Sequence, residues 1–270
     1  MNNQNEKKIL WYNLAFMAFS TVWGFGNVIN GFSEYGGLKA IVSWVILFAL
    51  YFIPYALMVG ELGSAFKNEG GGVSSWIHRT IGPGMAYMAG WTYWVVHMPY
   101  ISQKPNASVI AASWALFRDS RASQMNVRVM AVICLVLFLF AVWIASRGLG
   151  VLKKLTAIAG STMFIMSLLF ILMMIAAPAI TGANVLEIDW SLDTFMPTFD
   201  GKFFLNLSIL VFAVGGCEKI SPYVNKMKDP SKDFAKGMIA LAAMVAVCAV
   251  LGTIALGMMF DSNNIPEDLM

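Results

Sequence analysis

Long apolar runs alternate with short polar connections along this chain, and two of the runs break in the middle. The first reads AFSTVWGFGNVINGF and is interrupted at Gly24-Phe25-Gly26-Asn27. A later one reads LSILVFAVGGCEKISPYV and is interrupted at Gly215-Gly216, with Glu218 just beyond. Glycine weakens a helix by about 1 kcal/mol relative to alanine. In lipid, that weakness is tolerated only where the freed backbone groups find partners or line a cavity. A helix needs about 20 apolar residues to cross a bilayer, and seven runs reach that length, at about 9–33, 38–66, 83–117, 128–146, 152–180, 203–225 and 234–260. The runs are too long, and alternate too little, for the strands of a barrel. Pro99 and Pro105 predict a kink in the third.

Composition sharpens this picture. The chain is 59% hydrophobic and 12% charged, against roughly 25% charged in a soluble domain. An all-α polytopic membrane protein follows, with residues 1–270 as one transmembrane domain. Lys and Arg set its orientation. Lys7, Lys8, Lys67, Arg79, Arg147, Lys153, Lys154, Lys226, Lys228, Lys232 and Lys236 fall in one set of loops, and Lys39, Arg118, Arg121, Arg128 and Lys202 in the other. The first set, and the N-terminus with it, is expected on the cytoplasmic side. Glu187, Asp189, Asp193, Asp200, Asp261, Glu267 and Asp268 collect on the opposite side. The net charge of +3 therefore reports orientation and implies no nucleic-acid partner. The leader MNNQNEKK precedes too long an apolar stretch, with no small-residue cleavage site, to predict a signal peptide. Cys134, Cys217 and Cys248 lie inside apolar spans without a C-x-x-C pattern, which reads as packing. No cofactor and no metal site are expected.

Five spans separate the starts of the two broken elements. This spacing predicts a five-helix repeat covering about 9–180, with a partial second copy over about 202–260. After the second span, Glu69-Gly70-Gly71-Gly72 leads to Trp76. Three glycines permit a tight bend, either in an ordinary cytoplasmic loop or in a re-entrant one with Trp76 anchored at the interface.

Four local patterns resemble the amino acid–polyamine–organocation superfamily of permeases. Glu61-Leu62-Gly63-Ser64-Ala65-Phe66, running on to Glu69-Gly70-Gly71 and Trp76, is similar to its signature after the second helix. Gly24-Phe25-Gly26 sits where its first helix unwinds. Phe212-Ala213-Val214-Gly215-Gly216-Cys217-Glu218 is similar to its sixth-helix pattern, and Asp229-Pro230-Ser231-Lys232 to the loop after that helix. Glutamate/GABA antiporter-like permeases look most similar. The resemblance implies a five-plus-five inverted repeat of the leucine-transporter type, usually within twelve helices, of which this chain would hold the N-terminal seven. It also implies secondary active transport of amino acids across the cytoplasmic membrane by alternating access, through antiport or proton-linked uptake. Three departures stand out: Phe25 where a small residue is common, Gly160 where proton-coupled members often carry lysine, and Lys67 where proline is usual.

The chemistry of an amino acid fits the breaks. Its carboxylate and ammonium must both be paired when they leave water. A half-helix starting after Asn27 offers N–H groups and a positive dipole end to the carboxylate. A half-helix ending near Phe212, Ala213 and Val214 offers carbonyls to the ammonium. The candidate substrate contacts are thus Gly24, Phe25, Gly26, Asn27, Phe212, Ala213, Val214 and Gly215, although helix–helix contact is the other reading of such glycines. Glu218 is an intramembrane acid, and such residues are functional by default. By resemblance it is a gating or proton-sensing residue; a fixed ion pair with Lys219 or Lys104 is the alternative. Phe212 resembles an aromatic gate, and Trp23 is a second candidate. Tyr93, His97, Tyr100 and Lys104 share one face of the third span, and His97, Tyr100 and Lys104 are candidates for a substrate contact or counter-charge. The expected partners are a small-molecule amino acid and the bilayer, with a homodimer as the assembly that would complete a site in so short a chain. A seven-helix receptor or sensor, or an intramembrane enzyme, would explain the span count, but neither explains paired breaks. Retinal-type lysine, H-E-x-x-H and G-x-S-x-G patterns are all absent.

Overall fold

The computed structural model describes residues 9–119, 121–182 and 186–261, without the side chains of Leu149 and Thr181. Lys7, Lys8, Glu267 and Asp268, which entered the charge argument, lie outside the described residues. Helices dominate, and one isolated bridge joins Ile9 to Met227. The chain divides into two compact units, one of residues 1–72 with 156–270 and one of Val73–Leu155.

The first unit holds both broken elements. Helix α1 (Trp11–Val22) stops, and α2 (Gly26–Glu34) resumes after three residues that are not α-helical. At 12 and 9 residues, the halves together rise about 32 Å, enough for a hydrocarbon core of about 30 Å. From Gly37 to Ala65 the chain is one continuous rod. It comprises a 3₁₀ turn at Gly37–Lys39, α3 (Ala40–Leu47), a π-helical turn at Phe48–Phe52 and α4 (Ile53–Ala65). Pro54, at the start of α4, supplies a cause for the wide turn. It has no N–H for the carbonyl four residues back, and its ring collides with that carbonyl in regular α geometry.

Close packing between small residues assembles these rods, because lipid tails give helices no hydrophobic reason to associate. Helix α11 (Pro230–Met259) is the centre of the unit. A β-carbon at its Gly237 would stand 3.2 Å from the carbonyl oxygen of Trp11, and one at Gly252 would stand 3.3 Å from Phe25 and Val28. On α4, Gly60 approaches the backbone of Ala235, and Gly63 lies against the ring of Phe234. Leu14, Phe19, Trp44, Phe234, Met238, Leu241 and Val245 are buried between these elements.

The connection after α4 rests on the rest of the first unit. Gly70 faces Asn225, and Gly72 (φ +63°) faces Ser221 and Pro222. Lys67, the departure from the family's proline, donates to Ser231 Oγ at 3.2 Å and so ties this stretch to the start of α11.

In the second unit, α5 (Val73–Thr80) packs on α6 (Pro83–Phe117), followed by α7 (Val127–Ser146). Trp76 is buried here, on a helix. Helix α6 runs through Pro99 and Pro105 as one element. Beyond it, hydrogen bonds from the Arg121 guanidinium hold the Asp119 carboxyl below its ordinary range. Helix α8 (Leu149–Thr181) leads back into the first unit, where α9 (Leu192–Phe195) and α10 (Gly201–Val214) come next. By length and composition, five helices among the described residues could cross a membrane: Gly37–Ala65, Val127–Ser146, Gly150–Ile180, Gly201–Lys226 and Pro230–Met259. Of the seven expected runs, two are therefore not among the five: the halves α1 and α2 are each too short to count singly, and α6, at 35 residues, is long enough but not apolar enough.

Candidate functional site

The first break begins earlier than its glycines suggest. Trp23 is already extended (φ −84°, ψ 141°), whereas Gly26 and Asn27 form the first turn of α2. Helix α2 opens on Phe25 with no side-chain cap, leaving its first N–H groups without the usual side-chain acceptor. Aromatic side chains hold the interruption. Trp23 stacks on Phe19 and donates from Nε1 to Ser167 Oγ of α8 at 2.9 Å. The Phe25 ring meets Phe170 edge to face at 4.8 Å and lies over Gly252. The bulky residue of the first-helix motif is thus accommodated by α8 and by a glycine of α11. At Gly26, a β-carbon would meet nothing within 4 Å.

The second break leaves helical geometry at Gly215 (φ −71°, ψ 153°) and turns at Gly216 (φ 110°), a value that favours glycine. It does not return to an α-helix. Cys217–Lys226 forms a 3₁₀ helix of ten residues, where runs beyond three or four are uncommon. Of the run expected at about 203–225, only the part up to Val214 is therefore α-helical. Pro222 lies inside the segment and withholds one N–H.

The two breaks meet. Asn27 Nδ2 donates to the carbonyl of Ala213 at 3.3 Å. Farther along, Asn206 Nδ2 donates to the Glu34 carbonyl at 2.9 Å, and the Tyr35 hydroxyl to the Phe203 carbonyl at 3.3 Å. Residue numbers rise along α2 as they fall along α10, so these half-helices run antiparallel. The bridge between Ile9 and Met227 ties the opposite ends of the broken elements. An uncapped helix start and a helix end are therefore brought to one level, which is the geometry that can hold an anion and a cation side by side. Ala213 and Val214 are buried, Gly24 and Gly215 are half-buried, and Phe212 is 73% exposed. The Phe212 backbone belongs to this junction, since its carbonyl accepts from Gly215 N at 3.4 Å.

Glu218 lies just past the second break and accepts a hydrogen bond from the Tyr55 hydroxyl of α4 at 2.5 Å. Tyr55 stacks on Tyr51 at 5.5 Å. The Lys219 side chain folds back over Gly216. In the other unit, Lys104 Nζ sits 4.2 Å above the Tyr100 ring, and His97 Nδ1 is 2.6 Å from the Tyr93 carbonyl. His97, Tyr100 and Lys104 thus form one cluster on α6, and Lys104 is about 6 Å from the midpoint of that helix. The sequence reading overlooked Tyr51, Tyr55 and Ser167. Pro54, inside an apolar span and between two tyrosines four apart, is the signal that points to the first two.

Comparison with known proteins agrees with this architecture. The family model described as amino acid permease matches residues 9–268. The aspartate/glutamate permease AcaP of Lactococcus lactis subsp. cremoris is 51% identical over 269 residues, which is 98% of this chain and 55% of that protein. The inner membrane transporter YjeM of Salmonella typhimurium is 26% identical over 250 residues, 89% of this chain and 50% of that protein. A probable agmatine/putrescine antiporter, AguD of Lactococcus lactis subsp. lactis, is 23% identical over 230 residues, 82% of this chain and 46% of that protein. The chain spans about half the length of these curated relatives.

Proposed function

Because this chain belongs to the amino acid permease family, we propose that it is the N-terminal part of a secondary active transporter that moves amino acids across the cytoplasmic membrane by alternating access. It is a multi-pass membrane protein, and the proposed orientation, from the Lys/Arg asymmetry, puts the N-terminus in the cytoplasm. Its work is binding and movement rather than bond chemistry.

The observation that carries this reading is the hydrogen bond from Asn27 to the Ala213 carbonyl. It joins two helix interruptions that sequence alone could only pair by spacing. The N–H groups at Phe25 and Gly26 are then the proposed seat of the substrate carboxylate, and the carbonyls from Phe212 to Val214 that of the ammonium. Gly24 and Gly215 let the ligand approach the backbone. Trp23 and the Phe212 ring serve as the aromatic gates, and Glu218 as the proton-sensing residue past the second break.

An acidic amino acid is the proposed substrate. Two features support it: the 51% identity to an aspartate/glutamate permease, and Lys104, a cation near the middle of a 35-residue helix. A lysine inside a spanning helix is costly unless it faces protein or water, and Lys104 is accordingly the proposed counter-charge of an acidic substrate. Antiport and proton-linked uptake both fit this site. The 270 residues are not expected to transport alone, because a site between two repeats needs the helices that seal it.

The test is exchange of labelled aspartate or glutamate in liposomes, with the chain alone and with the remaining C-terminal helices supplied. Saturable exchange is expected only in the second case. There, Lys104→Met should weaken acidic amino acids at least tenfold more than neutral ones. Equal losses would remove Lys104 from recognition, and transport by the chain alone would overturn the fragment reading.

A further inference from the structure

The 3₁₀ segment Cys217–Lys226 is held at both ends. Its far end is pinned by the bridge between Ile9 and Met227, where Ile9 N donates to the Lys226 carbonyl at 3.0 Å and Lys228 N to the Ile9 carbonyl at 3.1 Å. Its near end hangs from α10 through Gly215 and Gly216, two residues free to swivel. There the Tyr55 hydroxyl grips Glu218 from α4. The aim of Tyr55 is set by the π-helical turn at Phe48–Phe52 immediately before it. Such a turn inserts an extra residue and rotates everything after it, and π turns recur at functional positions.

We propose that Tyr55 is a positioning residue whose phenol holds Glu218 against α4 and thereby latches the segment Cys217–Lys226 closed at the second break. A 3₁₀ run of ten residues has poorer internal hydrogen bonds than an α-helix and is weakly committed to its conformation. The bond that pins it is charge-assisted, roughly twice as strong as a neutral one. Tyr51 backs the Tyr55 ring by stacking, so the hydroxyl, rather than the ring, is the part that can be removed without loss of packing. Cys217, next to the gripped residue, is fully buried. Release of the latch would uncover it on the way to opening the site. The inference rests on the paired-break site proposed above, and it deepens that reading by naming what keeps one half of it shut.

Cys217 is also a natural reporter, and its labelling requires no transport, so failure here and failure of the transport reading are separable. The experiment uses the full chain in membrane vesicles, with Cys134→Ser, and measures both the rate of modification by methyl methanethiosulfonate and amide hydrogen exchange over residues 217–226, because the Tyr55 hydroxyl and the Glu218 charge also act on the Cys217 thiol directly; faster labelling counts for the latch only where exchange is faster too. Tyr55→Phe should raise the Cys217 rate about tenfold or more, the scale of one hydrogen bond to a charged group. Glu218→Gln, which keeps an acceptor but loses the charge, should raise it less. Combined with Tyr55→Phe, it should add less than it does alone, since both variants weaken the Tyr55–Glu218 bond. Cys248, buried on α11, is the control and should stay unreactive throughout. An unchanged Cys217 rate in Tyr55→Phe, additive effects, or a parallel rise at Cys248 would each overturn the latch. Should Tyr55→Phe fail to accumulate, Glu218→Gln decides alone: faster Cys217 labelling together with faster amide exchange over residues 217–226 supports the latch, and unchanged exchange refutes it.

Discussion

At Gly160 the carbonyl oxygen of Phe16 occupies the space where a β-carbon would stand, so α8 can lie on α1 only while this residue is glycine. The same position is where proton-coupled relatives, by resemblance, often carry lysine. Here the backbone of α1 leaves no room for a side chain, and Phe164 meets Phe16 and Phe19 beside it. Gly160→Ala should therefore separate the two helices, at an overpacking cost of about 1–3 kcal/mol or more. The expected outcome is a lower yield and a lower melting temperature of the detergent-extracted protein; wild-type values for both would show that α8 yields without penalty. Burial of the breaks depends on such contacts, because Trp23 reaches Ser167 about two turns further along the same face of α8.

A broken helix is a different kind of element from a long one, and Gly26 shows why. It begins α2, is exposed, and has open space where a β-carbon would project. Alanine there should improve helix propensity by about 1 kcal/mol and clash with nothing. Any loss of function must then come from a methyl group in the ligand's path. With the C-terminal helices supplied, Gly26→Ala is expected to keep or raise thermal stability while weakening amino acid exchange several-fold. Unchanged exchange would remove the α2 N-terminus from substrate binding. The rod from Gly37 to Ala65 carries the opposite lesson. Its hydropathy is that of one uninterrupted span, yet the turn ahead of Pro54 re-aims Tyr55 beyond it. That turn is legible only as a proline in an apolar run, since hydropathy is blind to the residue count of a helical turn.

For the whole molecule, the Lys and Arg distribution sets an orientation that can be checked directly. Single cysteines at Ser231, beside the Lys226–Lys236 cluster, and at Ser191, among the acidic residues of the opposite loop, should react from opposite sides in a background lacking Cys134, Cys217 and Cys248. Ser231 should label only from the cytoplasm and Ser191 only from outside. Labelling of Ser191 from the cytoplasm would invert the proposed topology. The same two regions matter to assembly. Lys67 reaches Ser231, so two motif loops that are far apart in the chain are joined within these 270 residues.

Amino-acid order alone determined that the chain is helical and membrane-spanning, because run length and charge placement are properties of a chain before it folds. It also determined the family, since the motifs around Gly24, Glu61, Phe212 and Asp229 are local strings with set spacing. The breaks were legible as glycines, but their edges were not. Trp23 leaves the helix because Phe19 and Ser167 hold it, and Cys217–Lys226 stays in 3₁₀ form between Gly216 and a docked loop at Gly70–Gly72. Only tertiary structure decided that Asn27 meets Ala213 and that Tyr55 meets Glu218. Those pairs lie 186 and 163 residues apart. Periodicity orders the residues on one helix, whereas the partner a side chain finds depends on which glycine faces let two helices approach and on how a π turn rotates the residues beyond it.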